Sequence, residues 1–223
     1  MEEGEQWEAA RETLHHQWIS DKNSVGRLLR LASECWLVLT DWDCCIKNEG
    51  LNYELFKTNL IDCCSYGLEH FADNESILCL FGYMMSLFPH LFCPSAEPNG
   101  GEYLAHESKG RSMLERAYRT YPDSLLAKVL FLGSSGGGEE YDKAKKTLKP
   151  LVASLFPGDT AVERYFSEIL LGVGAIVGVA DVTRGRYVLS RWRTAAVSSG
   201  SGCGGRSDGC GRGVRGGRTK PAA

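Results

Sequence analysis

The chain lacks a membrane span: its longest apolar run, 169–180, is short for a bilayer and is broken by three glycines. No strand-like alternation of apolar and polar residues occurs in 1–171, which argues against a sheet. A phosphate-binding glycine loop, a His-Glu-x-x-His motif and an ordered Ser, His and Asp set are all missing. The usual carriers of nucleotide hydrolysis, zinc peptidase and serine hydrolase chemistry are therefore absent, and neither an enzyme nor a bound cofactor is expected. Gly136-Gly137-Gly138 is followed by Glu139-Glu140, whose charge would repel a phosphate, so this glycine run reads as a turn. Basic charge is scarce in 1–171, with 16 Lys and Arg against 26 Asp and Glu. Such a body repels nucleic acid and anionic membrane.

Disulfides are not expected either, although the chain holds nine cysteines. Seven lie in the body, at Cys35, Cys44, Cys45, Cys63, Cys64, Cys79 and Cys93, mostly inside apolar helical patterns. The acidic opening MEEGEQWEAARE is unlike a secretory leader, so a cytoplasmic chain with reduced thiols acting as small hydrophobes is expected. Cys44-Cys45 and Cys63-Cys64 could make a four-thiolate metal set only if adjacent residues faced one ion. On a helix neighbours diverge by about 100°, so packing is the expected role and no metal site is assigned. Cys203 and Cys210 have no partners at metal-binding spacing. The five histidines, His15, His16, His70, His90 and His106, form no constellation.

What is present is helical periodicity. Trp7, Ala10, Leu14 and Trp18 mark a first helix over 3–20. A second, over 24–45, carries Leu28, Leu29, Ala32, Cys35, Trp36, Leu39 and Trp42, with caps offered by the polar run 20–24. A third spans 52–71. A fourth, 75–91, is apolar nearly all round and is expected to be the most buried element. Residues 92–102 read as a loop, 102–121 as a fifth helix, and Pro122-Asp123-Ser124 as the break before a short sixth. A seventh covers 139–156, and an eighth starts near Thr160. The fold class is all-α, built of antiparallel helix hairpins.

Three junctions share one form: residues 70–74, 120–124 and 155–159 each place an aromatic, a breaker and a cap in succession. Around them, Gly110, Leu114, Ala117 and Pro122 fall at intervals of four, three and five. Leu60, Cys64, Gly67 and Ala72 repeat the intervals with Ala for Pro, and Ala144, Leu148, Leu151 and Pro157 repeat them with one extra residue. Leu78, Phe81, Gly82 and Met85 supply a matching first-helix pattern. On these residues the stretch from about 52 to 171 resembles the tetratricopeptide repeat family, whose unit is a helix pair of about 34 residues. The departures are Leu132 at a position that wants a small residue, a half-fit at Phe166-Ser167, and a 50-residue step from Ala72 to Pro122 that implies an inserted loop at 92–102.

The resemblance implies a short α-solenoid over 1–171 whose first helices line a groove that receives a protein or peptide. The positions it points to are Ser76, Cys79, Tyr83 and Ser86 in one unit, Leu126 and Val129 in the next, and Arg164 and Glu168 in the last. A module for protein–protein interaction is the expected function. A second reading is an immunity-type or regulatory protein whose acidic face meets a basic effector.

Residues 172–223 differ in kind. They hold nine Lys and Arg against two Asp and Glu, and half of the 26 glycines. No core can form from such a composition, and a disordered tail is expected. Residues 211–218, GRGVRGGR, resemble arginine-glycine boxes that bind RNA, the one route by which nucleic acid could enter. Arg, Gly, Ser, Ala and Val rise together in mid-helix, so translation from a shifted reading frame is a further reading of the same step.

Overall fold

Among the described residues, five side-chain caps fix where helices start. Ser24 accepts from the Arg27 amide at 3.3 Å and opens α2 (Val25–Thr40), and Asn52 does the same for α3 (Tyr53–His70) through Leu55. Asn74 takes the amides of Ser76 and Ile77 to open α4 (Glu75–Leu87), and Ser124 takes that of Ala127 to open α6 (Leu125–Ser134). Thr160 and Glu163 cap each other's amides at 3.2 Å in a reciprocal box that opens α9 (Ala161–Leu171). α1 (Trp7–Ser20), α5 (Gly100–Thr120), α7 (Glu139–Leu148) and the short α8 (Val152–Leu155) complete the set. The computed structural model describes residues 6–42, 46, 49–94, 100–157 and 160–171, all of its regular elements being helical. Expectations about the tail, about Cys44-Cys45 and about Cys203 and Cys210 fall outside the described residues.

Several helices end where the periodicity did not show it. α2 stops at Thr40, not at 45. α4 stops at Leu87 because Pro89 has no amide to donate and its ring crowds the preceding turn. The chain then makes a tight 3₁₀ turn, Pro89–Phe92, that buries Leu91, Phe92 and Cys93, so the expected loop begins inside the core. α5 begins at Gly100, which shortens that loop at its other end. Pro150 splits the expected helix over 139–156 into α7, a 3₁₀ turn Lys149–Leu151, and α8.

The helices pack in sequential pairs: α2 with α3, α4 with α5, and α6 with α7, while α1 lies on α2. α4 also touches both α2 and α6, so α2, α4 and α6 form one row. The tightest pairing is α4 on α5, where Gly82 and Gly110 let the two backbones meet. A Cβ added at Gly110 would stand 2.6 Å from the Ser86 nitrogen and 2.8 Å from the Gly82 carbonyl oxygen. Two of the three similar junctions are latched to each other. The Tyr121 hydroxyl donates to the Asp73 carbonyl, Arg116 pairs with Asp73, and Ser124 donates to the Glu75 carboxylate.

α4 is heavily buried as expected, but α2 equals it. Every residue from 31 to 39 is buried, Ser33 and Glu34 included. α2 has α1, α3, α4 and α9 around it, so even its polar positions lie inside.

Candidate functional site

The expected binding positions fall on α4 and α6, two helices of the row, and on α9. Ser76 is exposed in the first turn of α4, and Ser86 is half-buried with its hydroxyl donating to the Tyr83 carbonyl at 2.9 Å. Between them Cys79 and Tyr83 are buried. On α6, Leu126 is half-buried and Val129 buried, in a small cluster with Tyr141, Leu148 and Val152. Arg164 is half-buried and Glu168 exposed, both on α9.

The geometry of α9 decides what this row presents. A further first helix stacked in register would lie against α6 and α7, as α6 lies against α4 and α5. α9 reaches back across the row instead. Its Phe166 ring stacks on Trp36 of α2 at 6.3 Å, lies 5.8 Å from Tyr83 of α4, and stacks on Phe156 at 5.6 Å. Tyr165 meets Trp36 edge-on at 5.4 Å and shares a hydrogen bond with the Tyr83 hydroxyl. Four residues on, Leu170 joins the cluster of Val129 and Tyr141. Val162, Phe166 and Leu170, spaced by four, are the buried stripe of α9. Burial pushes the phenols of Tyr83 and Tyr165 well above the usual tyrosine range, so both stay neutral donors and acceptors.

Trp36 is the centre of this cluster and was visible in the sequence only as one more apolar residue of α2. Phe88 packs edge-on against it at 5.6 Å. The Trp36 indole nitrogen is buried among these rings and makes no hydrogen bond. Two residues before Trp36, on another face of α2, lies a second feature missed by periodicity: Glu34, fully buried, with Arg30 3.5 Å away and no hydrogen bond to either carboxylate oxygen. Burial raises its pKa to about 7 against the opposing pull of Arg30.

Among the described residues no group of three or more His, Cys, Asp or Glu side chains could hold a metal ion, and no helix is long and apolar enough to cross a membrane. Cys35, Cys63, Cys64, Cys79 and Cys93 are free and buried, and burial raises the pKa of each thiol. A buried, protonated thiol is a poor nucleophile. The expected result of brief alkylation is therefore that these five resist a thiol reagent in the folded chain. Their reaction should be on the order of 1,000-fold slower than in denaturant, read by peptide mass mapping. Rapid native labelling of Cys63 or Cys64 would contradict the packing described here.

No protein-family model matches the sequence, and neither a curated protein nor a solved structure is significantly similar to it.

Proposed function

We propose that this chain is a tetratricopeptide-like helical-repeat protein that binds another protein on the row formed by α2, α4 and α6, and that it acts by binding rather than by catalysis. The observation that carries the reading is the arrangement of sequential helix pairs with one helix of each pair aligned in a common row. The glycine crossing of α4 and α5 supports it, because it holds one such pair at close backbone contact. The perturbed ionisable groups fit packing better than chemistry. Glu34 and the thiols are raised by burial.

Photo-crosslinking tests the surface. Crosslinkers placed at the exposed Ser76 and at half-buried Ser86 should capture the partner, whereas those placed at Glu107 and Glu115 on α5 should not. The acidity of 1–171 favours a second reading, in which a basic effector docks on the acidic face. Charge reversal at Asp62 and Glu69, exposed carboxylates of α3 whose one lysine, Lys57, is buried, separates the two. Exposed surface positions of this kind contribute little to stability, so the fold should survive. Unchanged partner affinity supports the row, and a loss of tenfold or more supports the acidic face.

A further inference from the structure

We infer that α9 is a built-in ligand: it occupies a helix-binding cradle formed by Trp36 of α2 and Tyr83 of α4, and an amphipathic helix of a partner protein binds by taking its place. The inference rests on the binding-row reading above and adds to it the chemistry of the partner and the means of regulation.

Three observations carry it. First, α9 crosses the row instead of extending it: one ring, Phe166, touches residues of α2 and α4, and Leu170 four residues later reaches the cluster built on α6 and α7. This is how an amphipathic helix lies in a groove, through anchors at i, i+4 and i+8. Second, α9 has only 11 residues, too few to be a stable helix by itself, so its helicity depends on the cradle and ordering is coupled to docking. Third, its fit is incomplete. The indole N–H of Trp36 is buried in the cradle without an acceptor, an unmet demand that an incoming helix with a suitable side chain would satisfy.

The contacts specify the partner. It presents a helix with apolar residues at the spacing of Val162, Phe166 and Leu170 and a hydroxyl-bearing aromatic at the position of Tyr165, set to reach the Tyr83 hydroxyl. An acidic residue in its first turn matches Glu163, whose charge acts on Arg30. Because α9 is tethered, it competes at an effective concentration in the millimolar range, and a partner must overcome that before it binds.

The probe is a labelled peptide of residues 160–171, titrated by fluorescence anisotropy against the full chain. Wild type should bind it on the order of 100-fold more weakly than a full-length Phe166→Asp, Leu170→Asp variant, whose own α9 can no longer dock. Adding Tyr83→Ala to that variant should abolish binding. A second route avoids any change in the core: a site-specific protease sequence is inserted between Pro157 and Thr160, and the folded protein is cut before titration. The cut chain should keep its helical circular dichroism and exchange its α9 for the labelled peptide. The inference is overturned if neither opened form binds the peptide, or if cutting abolishes the helical signal, since α9 is then an integral part of the core. It is also overturned if wild type elutes as a dimer whose protomers exchange α9, since the occupant is then a second copy. The binding-row reading fails separately, when the partner's crosslinks lie away from Ser76 and Ser86 although the opened forms bind the peptide.

Discussion

Gly110→Ala should destabilise the fold by up to about 2 kcal/mol, an effect opposite in sign to helix propensity. Gly110 lies in the interior of α5, where glycine costs roughly 1 kcal/mol relative to alanine. Propensity alone therefore favours the substitution. The added methyl would stand 2.6 Å from the Ser86 nitrogen and 2.8 Å from both the Gly82 carbonyl oxygen and the Met85 Cβ. Backbone cannot swing away as the end of a side chain can, so α4 and α5 must separate, and overpacking of this kind typically costs 1–3 kcal/mol. Two other glycines serve as internal references. At Gly67 the nearest atom is a ring carbon of Phe81 at 2.9 Å, which can shift, so Gly67→Ala should cost less. At Gly26 the added methyl meets only the Ser24 hydroxyl at 4.0 Å, so Gly26→Ala should be neutral or stabilising by up to about 1 kcal/mol. Urea unfolding of the three variants orders them, and a Gly110→Ala protein as stable as wild type would remove the close crossing of α4 and α5.

The same residues show how much of the fold could be read in advance. Gly110, Leu114 and Ala117 were singled out by spacing alone, and Gly110 and Leu114 are the residues that meet Gly82. Asn74 and Ser124 were legible as caps because capping is local chemistry between residues two or three apart. Pro89 and Pro150 could have ended their helices on the same local grounds; the apolar period running through them masked the break. The path of α9 was not legible. Its sequence states which face is apolar, but not that the face lies on Trp36 rather than beside α6, because that contact joins residues about 130 positions apart. For the same reason the burial of Glu34 was hidden. Its own helix offers a polar position there, and only the helices packed around α2 enclose it.

That enclosure makes stability depend on pH in an unusual direction. The Glu34 carboxyl has a pKa raised from 4.5 to about 7 in the folded chain, burial being the larger cause and Arg30 opposing it. Between those values the folded state holds a proton that the unfolded state has released, so stability falls as pH rises. The favourable situation is fully present below about pH 4.5 and is lost by the time pH passes about 7. The span corresponds to about 3 kcal/mol. Glu34→Gln keeps the shape and removes the charge, and Arg30 retains some contact with solvent, so it is not left as a sealed cation. The variant should match wild type near pH 5 and exceed it by up to about 3 kcal/mol at pH 8. His15, His90 and His106, whose pKa values burial lowers, act in the opposite direction in both proteins and cancel in the difference. Parallel stability curves for the two proteins between pH 5 and 8 would show that Glu34 is ionised in the fold without penalty. A widening gap would also bear on α9, since Arg30 feels both Glu34 and Glu163, and the carboxylate that appears on α2 as pH rises competes with the one on α9 for the same guanidinium.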